Sequence, residues 1–82
     1  MVGDGLTKEL AARITTAQKR YGAFASTHEA LGVACEEWDE LRAAIQSNNL
    51  GAVRSECLDL AAVLLRLARS TDEPTFINRS IK

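Results

Sequence analysis

At 82 residues the chain amounts to one domain, and a domain of this size buries only about 60–65% of its unfolded surface, so it folds alone with little margin. Ten Lys and Arg stand against eleven Asp and Glu, a net charge of −1 with the basic residues scattered, which argues against nucleic acid as a partner. No stretch reaches the ~18 uninterrupted apolar residues of a membrane span, and the N-terminus MVGDGLTKEL lacks the basic and apolar regions of a signal peptide, so a cytoplasmic protein without a membrane partner is expected.

Gly3 and Gly5 precede Leu6, Leu10, Ile14, Ala17 and Tyr21, whose three- and four-residue steps mark an amphipathic helix over about 6–20. Gly22 is a natural left-handed stop, and Lys19 and Arg20 in the last turn complement the helix dipole. Ser26 with Glu29 forms a capping box. Beyond it, Leu31, Ala34, Trp38, Leu41 and Ile45 align as one apolar stripe of a second helix over about 27–47. That stripe places Trp38 in a core or a subunit interface. Ser47, Asn48, Asn49 and Gly51 read as a tight turn, so a third helix runs back antiparallel over about 50–70.

The third helix is apolar almost all round, with only Asp59 and Arg66 interrupting the run from Cys57 to Ala68. Two short helices cannot cover such a surface. The fold class expected is therefore all-α, an antiparallel hairpin plus an N-terminal helix within a single domain of residues 1–82, completed into a four-helix-type bundle by homodimerisation or homotetramerisation. The tail 71–82 is too poor in apolar residues to form a further helix, although Phe76 and Ile77 could dock on a neighbour. Cys35 and Cys57 sit in apolar helical segments without CxxC spacing, so they read as buried thiols rather than as a disulfide or a zinc site.

Chemistry is suggested by the carboxylates. Glu36, Glu37, Asp39 and Glu40 crowd five positions, and Glu56 and Asp59 fall within the apolar third helix. Glu37 with Glu40 and Glu56 with Asp59 each share a helix face, where like charges repel unless a cation gathers them. An antiparallel hairpin would set the two pairs opposite each other, and hard divalent cations take such oxygen ligands. The competing view is a solvated acidic face with local ion pairs, of which Asp39 with Arg42 is an example. Asp59 stands against it, because an unpaired buried carboxylate is strongly destabilising. Either Arg54 or Arg66 should pair with Asp59, or a metal should.

The pattern Glu36-Glu37-x-x-Glu40, a gap of 15 residues, then Glu56-x-x-Asp59 resembles the signature of MazG-like all-alpha nucleoside triphosphate pyrophosphohydrolases. The segments STHEALGVACEEWDELRAAI and RSECLDLAAVLLRLA are similar to the two acidic helices of that family, and the resemblance covers about residues 20–69. It implies Glu37, Glu40, Glu56 and Asp59 as ligands of Mg²⁺ or Mn²⁺, with Glu36 orienting a water or completing the coordination of a second ion. The reaction implied is hydrolysis of a (deoxy)nucleoside triphosphate to the monophosphate and pyrophosphate, a nucleotide-pool house-cleaning activity. Tyr21 and Phe24 would then line a base pocket, and Arg79 and Lys82 in the tail, or Lys19 and Arg20 closing the first helix, are candidates for phosphate contacts, within one chain or across a subunit junction. No cluster of Lys and Arg marks a triphosphate site. Trp38 could instead stack on a base, and His28, in the first turn of the second helix, reads as a surface or capping residue. The alternative function is a noncatalytic helical oligomeric interaction module that uses its acidic face to bind a basic partner.

Overall fold

The computed structural model describes residues 4–73 and residue 76. Among them are three helices and no strand: α1 (Asp4–Tyr21), α2 (Thr27–Gln46) and α3 (Leu50–Ser70). None is long and apolar enough to cross a membrane. The expected helices are present, with α1 starting two residues earlier and α2 ending one residue earlier than the periodicity suggests. Such offsets are the ordinary fraying of helix ends.

Each boundary has a local cause. Gly22 takes φ +73° and its N–H donates to the Gln18 carbonyl at 2.9 Å, which ends α1 in the left-handed conformation that glycine adopts without penalty. At the start of α2 the Ser26 hydroxyl accepts from the Glu29 N–H at 3.2 Å, while Glu29 Oε1 accepts from the Ala25 N–H at 2.7 Å, a reciprocal cap shifted one residue upstream on its return arm. Phe24 rather than Ala25 supplies the apolar staple, packing with Ala30 and Val63. Asn48 turns the hairpin at φ 58°, and Asn49 caps α3 by accepting from the Ala52 N–H at 3.1 Å.

Helix α3 is central: α1 and α2 both pack on it, and their backbones do not approach each other. The buried apolar side chains among the described residues are few, and three of the seven are alanines, Ala30, Ala44 and Ala62 beside Phe24, Leu41, Leu58 and Val63. Small residues let the helices approach closely but supply little transfer free energy, since a fully buried large aliphatic contributes about 1.5–3 kcal/mol. A polar knot helps to close the far end. The Ser70 hydroxyl donates to the Arg66 carbonyl at 2.8 Å and accepts from the Phe24 N–H at 3.1 Å, tying the α1–α2 loop to the last turn of α3. Phe76 packs on this same core within its own chain. Ile77 lies outside the described residues.

Two expectations about burial are corrected, that of the cysteines and that of a single packed stripe on α2. Cys35 and Cys57 are exposed free thiols, because the apolar segments that contain them have an outer face which no other described residue covers. The stripe of α2 divides: Leu41 is buried, whereas Leu31, Trp38 and Ile45 are 50–59% exposed, since the line that meets α3 runs instead through Ala30, Leu41 and Ala44. On α3, Leu50, Leu64 and Leu65 are likewise exposed, while Arg66 is buried at 5%.

Candidate metal centre

The hairpin sets α2 against α3 so that Glu37, Glu56 and Asp59 converge, each offering a carboxylate oxygen, with all three oxygens within 4.8 Å of one another. This is the juxtaposition expected from the two acidic pairs, less one member. Glu40 is exposed and outside the trio, though close enough for its charge to bear on both Glu37 and Glu56. Glu36 is exposed and lines the neighbouring cleft.

The electrostatics are those of a crowded anion cluster. Burial first, then the charges of Glu40, Asp59, Glu56 and Glu36, push the Glu37 carboxyl up to about 7. Glu56 is also raised, by burial, by the charges of Glu40 and Asp59 and by a hydrogen bond with Glu40, against the opposite pull of Arg13. Glu37 Oε1 and Glu56 Oε1 are buried with no hydrogen-bond partner among the described residues. A buried acceptor left unmatched costs about 1–3 kcal/mol, so the cluster has an energetic deficit that a proton or a cation would relieve. Hard oxygen donors at this separation fit a hard divalent cation such as Mg²⁺ or Mn²⁺.

Asp59 has a partner, and it is neither Arg54 nor Arg66. Arg13 of α1 reaches across, its Nη1 donating to Asp59 Oδ1 at 2.8 Å and to the Ser55 carbonyl at 2.7 Å. Arg54 is engaged elsewhere, by Glu9 at 2.7 Å, because it lies on the flank of α3 that faces the start of α1. Asp39 and Arg42 form the exposed i,i+3 pair that their spacing implies, at 3.3 Å.

Beside the trio opens a cleft of about 590 Å³, walled by α1 and α2 and floored by α3 through Asp59, Ala62, Val63 and Arg66. It exists because α1 and α2 do not meet. Tyr21 stands at its edge, 69% exposed, whereas Phe24 is a core residue at 5%, and the Arg66 guanidinium covers its ring at 4.3 Å from the centroid. Tyr21 and Phe24 both line the cleft, with the Phe24 ring under the guanidinium rather than open to solvent. Arg79 and Lys82 lie outside the described residues. The cleft nevertheless brings together Arg13, Arg20 and Arg66; Arg20 is one of the phosphate candidates closing α1, whereas Arg13 and Arg66 belong to no linear basic cluster. Arg66 was visible only as a charge interrupting an apolar run, and Arg13 as one more polar residue of α1.

Compared with known proteins, the chain matches no family model, no curated protein and no solved structure.

Proposed function

We propose that the chain is a Mg²⁺-dependent nucleoside triphosphate pyrophosphohydrolase, releasing a nucleoside monophosphate and pyrophosphate. The observation that carries this reading is the convergence of Glu37, Glu56 and Asp59 beside an open cleft, with two of their oxygens buried and unmatched. When bound, the divalent ion supplies charge neutralisation at phosphate oxygens and a lowered pKa for an attacking water. Glu37, Glu56 and Asp59 hold it, Glu40 adds negative charge from the rim, and Arg13 fixes the orientation of Asp59. Glu36, on the cleft wall and open to solvent, accepts the proton of the water. Pyrophosphate release from a panel of standard and modified nucleoside triphosphates, with Mg²⁺ and with EDTA, tests the reading; absence of metal-dependent release with every nucleotide refutes it.

The second reading, a noncatalytic helical module that binds a basic partner, draws on the Arg13–Asp59 ion pair. A protein cation already satisfies part of the acidic cluster, and Glu36, Asp39 and Glu40 remain exposed for a partner's lysines and arginines.

The proposal includes a homo-oligomer. Trp38 is two residues from Glu36 and from Glu40, hence about 200° around α2 from both, and Leu31 and Ile45 repeat it at seven-residue intervals. On α3, Leu50, Cys57 and Leu64 follow the same interval on the side away from Asp59. Both stripes are apolar, exposed and directed away from the cleft. Pairing this back face with the same face of a second copy would complete a four-helix bundle and supply the burial that an alanine-rich core lacks.

A further inference from the structure

Arg66 is a buried cation without an ionic partner among the described residues. Its residue is 5% exposed, and the ion pairs among the described residues are Arg13–Asp59, Arg42–Asp39 and Arg54–Glu9. Nε donates to Gln18 Oε1 at 3.2 Å and Nη2 to the Gly22 carbonyl at 3.0 Å. The guanidinium also lies over the Phe24 ring at 4.3 Å and within 5.9 Å of the Tyr21 centroid. These neutral acceptors sit at the C-terminal end of α1, where the helix dipole is negative, and with the aromatic faces they offset part of the desolvation of the charge. They do not neutralise it. A guanidinium carries five N–H groups, and two of them have acceptors here.

The unsatisfied edge opens on the cleft. Arg66 is one of the residues lining it, and its Nη1 has no acceptor among the described residues, where only Nε and Nη2 are matched. The cleft is thus bipolar. Asp59 marks its acidic end, and Arg66, two turns further along α3, lies about 10 Å away along the helix axis with Arg20 on the opposite wall. A metal-bound anion at one end and a free oxyanion at the other is the charge pattern this arrangement complements.

We infer that Arg66 is a phosphate-binding residue of the cleft, donating through its free edge to an oxyanion of a polyphosphate whose other end lies at the acidic trio. The inference rests on the cleft being the substrate site of the proposed function, but it concerns an anion site that holds without the metal. Phosphate is favoured over a nucleobase at Arg66 because the Phe24 ring is buried and lies under the guanidinium, while the guanidinium N–H groups without acceptors match oxyanions in fork geometry. Binding adds a counter-charge to a buried cation, so the interaction is stronger than the same pair at the surface.

The test uses the whole chain in EDTA at low ionic strength, with inorganic pyrophosphate as probe and adenosine as the phosphate-free comparison. The Arg66 Nε–H resonance of ¹⁵N-labelled protein should shift saturably with pyrophosphate and stay in place with adenosine. By calorimetry, Arg66→Gln should weaken pyrophosphate at least tenfold and Arg66→Lys by about threefold, whereas Arg42→Gln, which removes the same charge from the exposed surface, should change it by less than twofold. Should Arg66→Gln not fold, the resonance of the native chain decides alone. The inference is overturned by a stationary Arg66 resonance at saturating pyrophosphate, by no measurable pyrophosphate binding, by a response to adenosine alone, or by equal losses in Arg66→Gln and Arg42→Gln. Because no metal and no turnover enter the measurement, a failure of the hydrolase reading leaves this result standing, and the converse holds.

Discussion

Arg13 on α1 and Asp59 on α3 are joined at 2.8 Å, so one carboxylate of the acidic trio already has a protein cation on one oxygen. Arg13 and a divalent ion therefore compete for the charge of Asp59. Replacing Arg13 with Gln should cost the metal-free fold about 1 kcal/mol or less, as expected for a partly exposed pair, and should tighten Mn²⁺ several-fold in a calorimetric titration. Unchanged Mn²⁺ affinity would show that Asp59 is not a ligand.

The raised Glu37 carboxyl makes a prediction about charge removal. Glu37→Gln eliminates a partly buried anion crowded by Glu40, Asp59 and Glu56, so at pH 8 the metal-free variant should be more stable than the parent by about 1–2 kcal/mol after allowance for screening by solvent. For a domain of this size each kcal/mol corresponds to about 4–8 °C in Tm. The added stability conferred by Mg²⁺ on the parent should be absent in the variant. A variant less stable than the parent under both conditions would mean that Glu37 makes a favourable contact as an anion.

The same group sets a pH dependence with a definite sign. The folded chain binds the Glu37 proton more tightly than the unfolded chain, with a pKa of about 7 against 4.5. Its contribution to stability is therefore complete below about pH 4.5 and is lost as pH rises through 7. Thermal melts in EDTA should show a Tm component falling between these values, and saturating Mg²⁺ should flatten that fall by taking the place of the proton. A fall of equal depth with and without Mg²⁺ would exclude an ion at this cluster.

Ligand roles should be graded by position. Glu56 belongs to the converging trio, so Glu56→Gln should lower kcat/KM for the best nucleotide by a hundredfold or more. Glu40 stands beside the trio and is exposed, so Glu40→Gln should cost closer to tenfold. Equal losses would mean that Glu40 moves in to complete the coordination, as the two-part acidic motif implies. Steady-state kinetics at saturating Mg²⁺ separates the outcomes.

The back face predicts a change of assembly. Trp38→Glu places a charge in the exposed apolar stripe of α2, remote from the cleft, and should convert a dimer or tetramer in sedimentation at micromolar concentration into a monomer with a lower Tm that no longer rises with protein concentration. A parent chain that sediments as a stable monomer would show that this face is not an interface.

Much of the helical frame is legible in the linear text because its causes are local. Ser26 with Glu29, Gly22 and the Ser47–Asn49 turn act within a few residues of themselves, and the heptad-like apolar spacing sets three helices with their ends nearly in place. The trio was legible for a related reason, since an antiparallel hairpin with a short turn leaves little freedom in which residues of α2 and α3 face each other. What escaped depends on where α1 docks. Arg13 meets Asp59 across 46 positions of sequence, and Arg66 meets Gln18 across 48, and nothing in the local periodicity of either helix encodes those encounters. Burial of Cys35 and Cys57 was misjudged, and Trp38 falls outside the chain's own core, because periodicity shows that a helix has an apolar face without showing how much of that face a single chain can cover.

The separation of α1 from α2 gives the molecule a division of labour along its chain. The acids belong entirely to the hairpin, whose geometry is held by a short turn and by close alanine-mediated approach, while the opposite wall of the cleft belongs to a helix seated only on α3. Cleft width is therefore governed by one seam. A bulkier side chain at Ala17, which lines the cleft from α1, would narrow the space for the occupant without relocating a carboxylate. Descendants of such a chain could change what they accept by drift along α1 while the chemistry stays put.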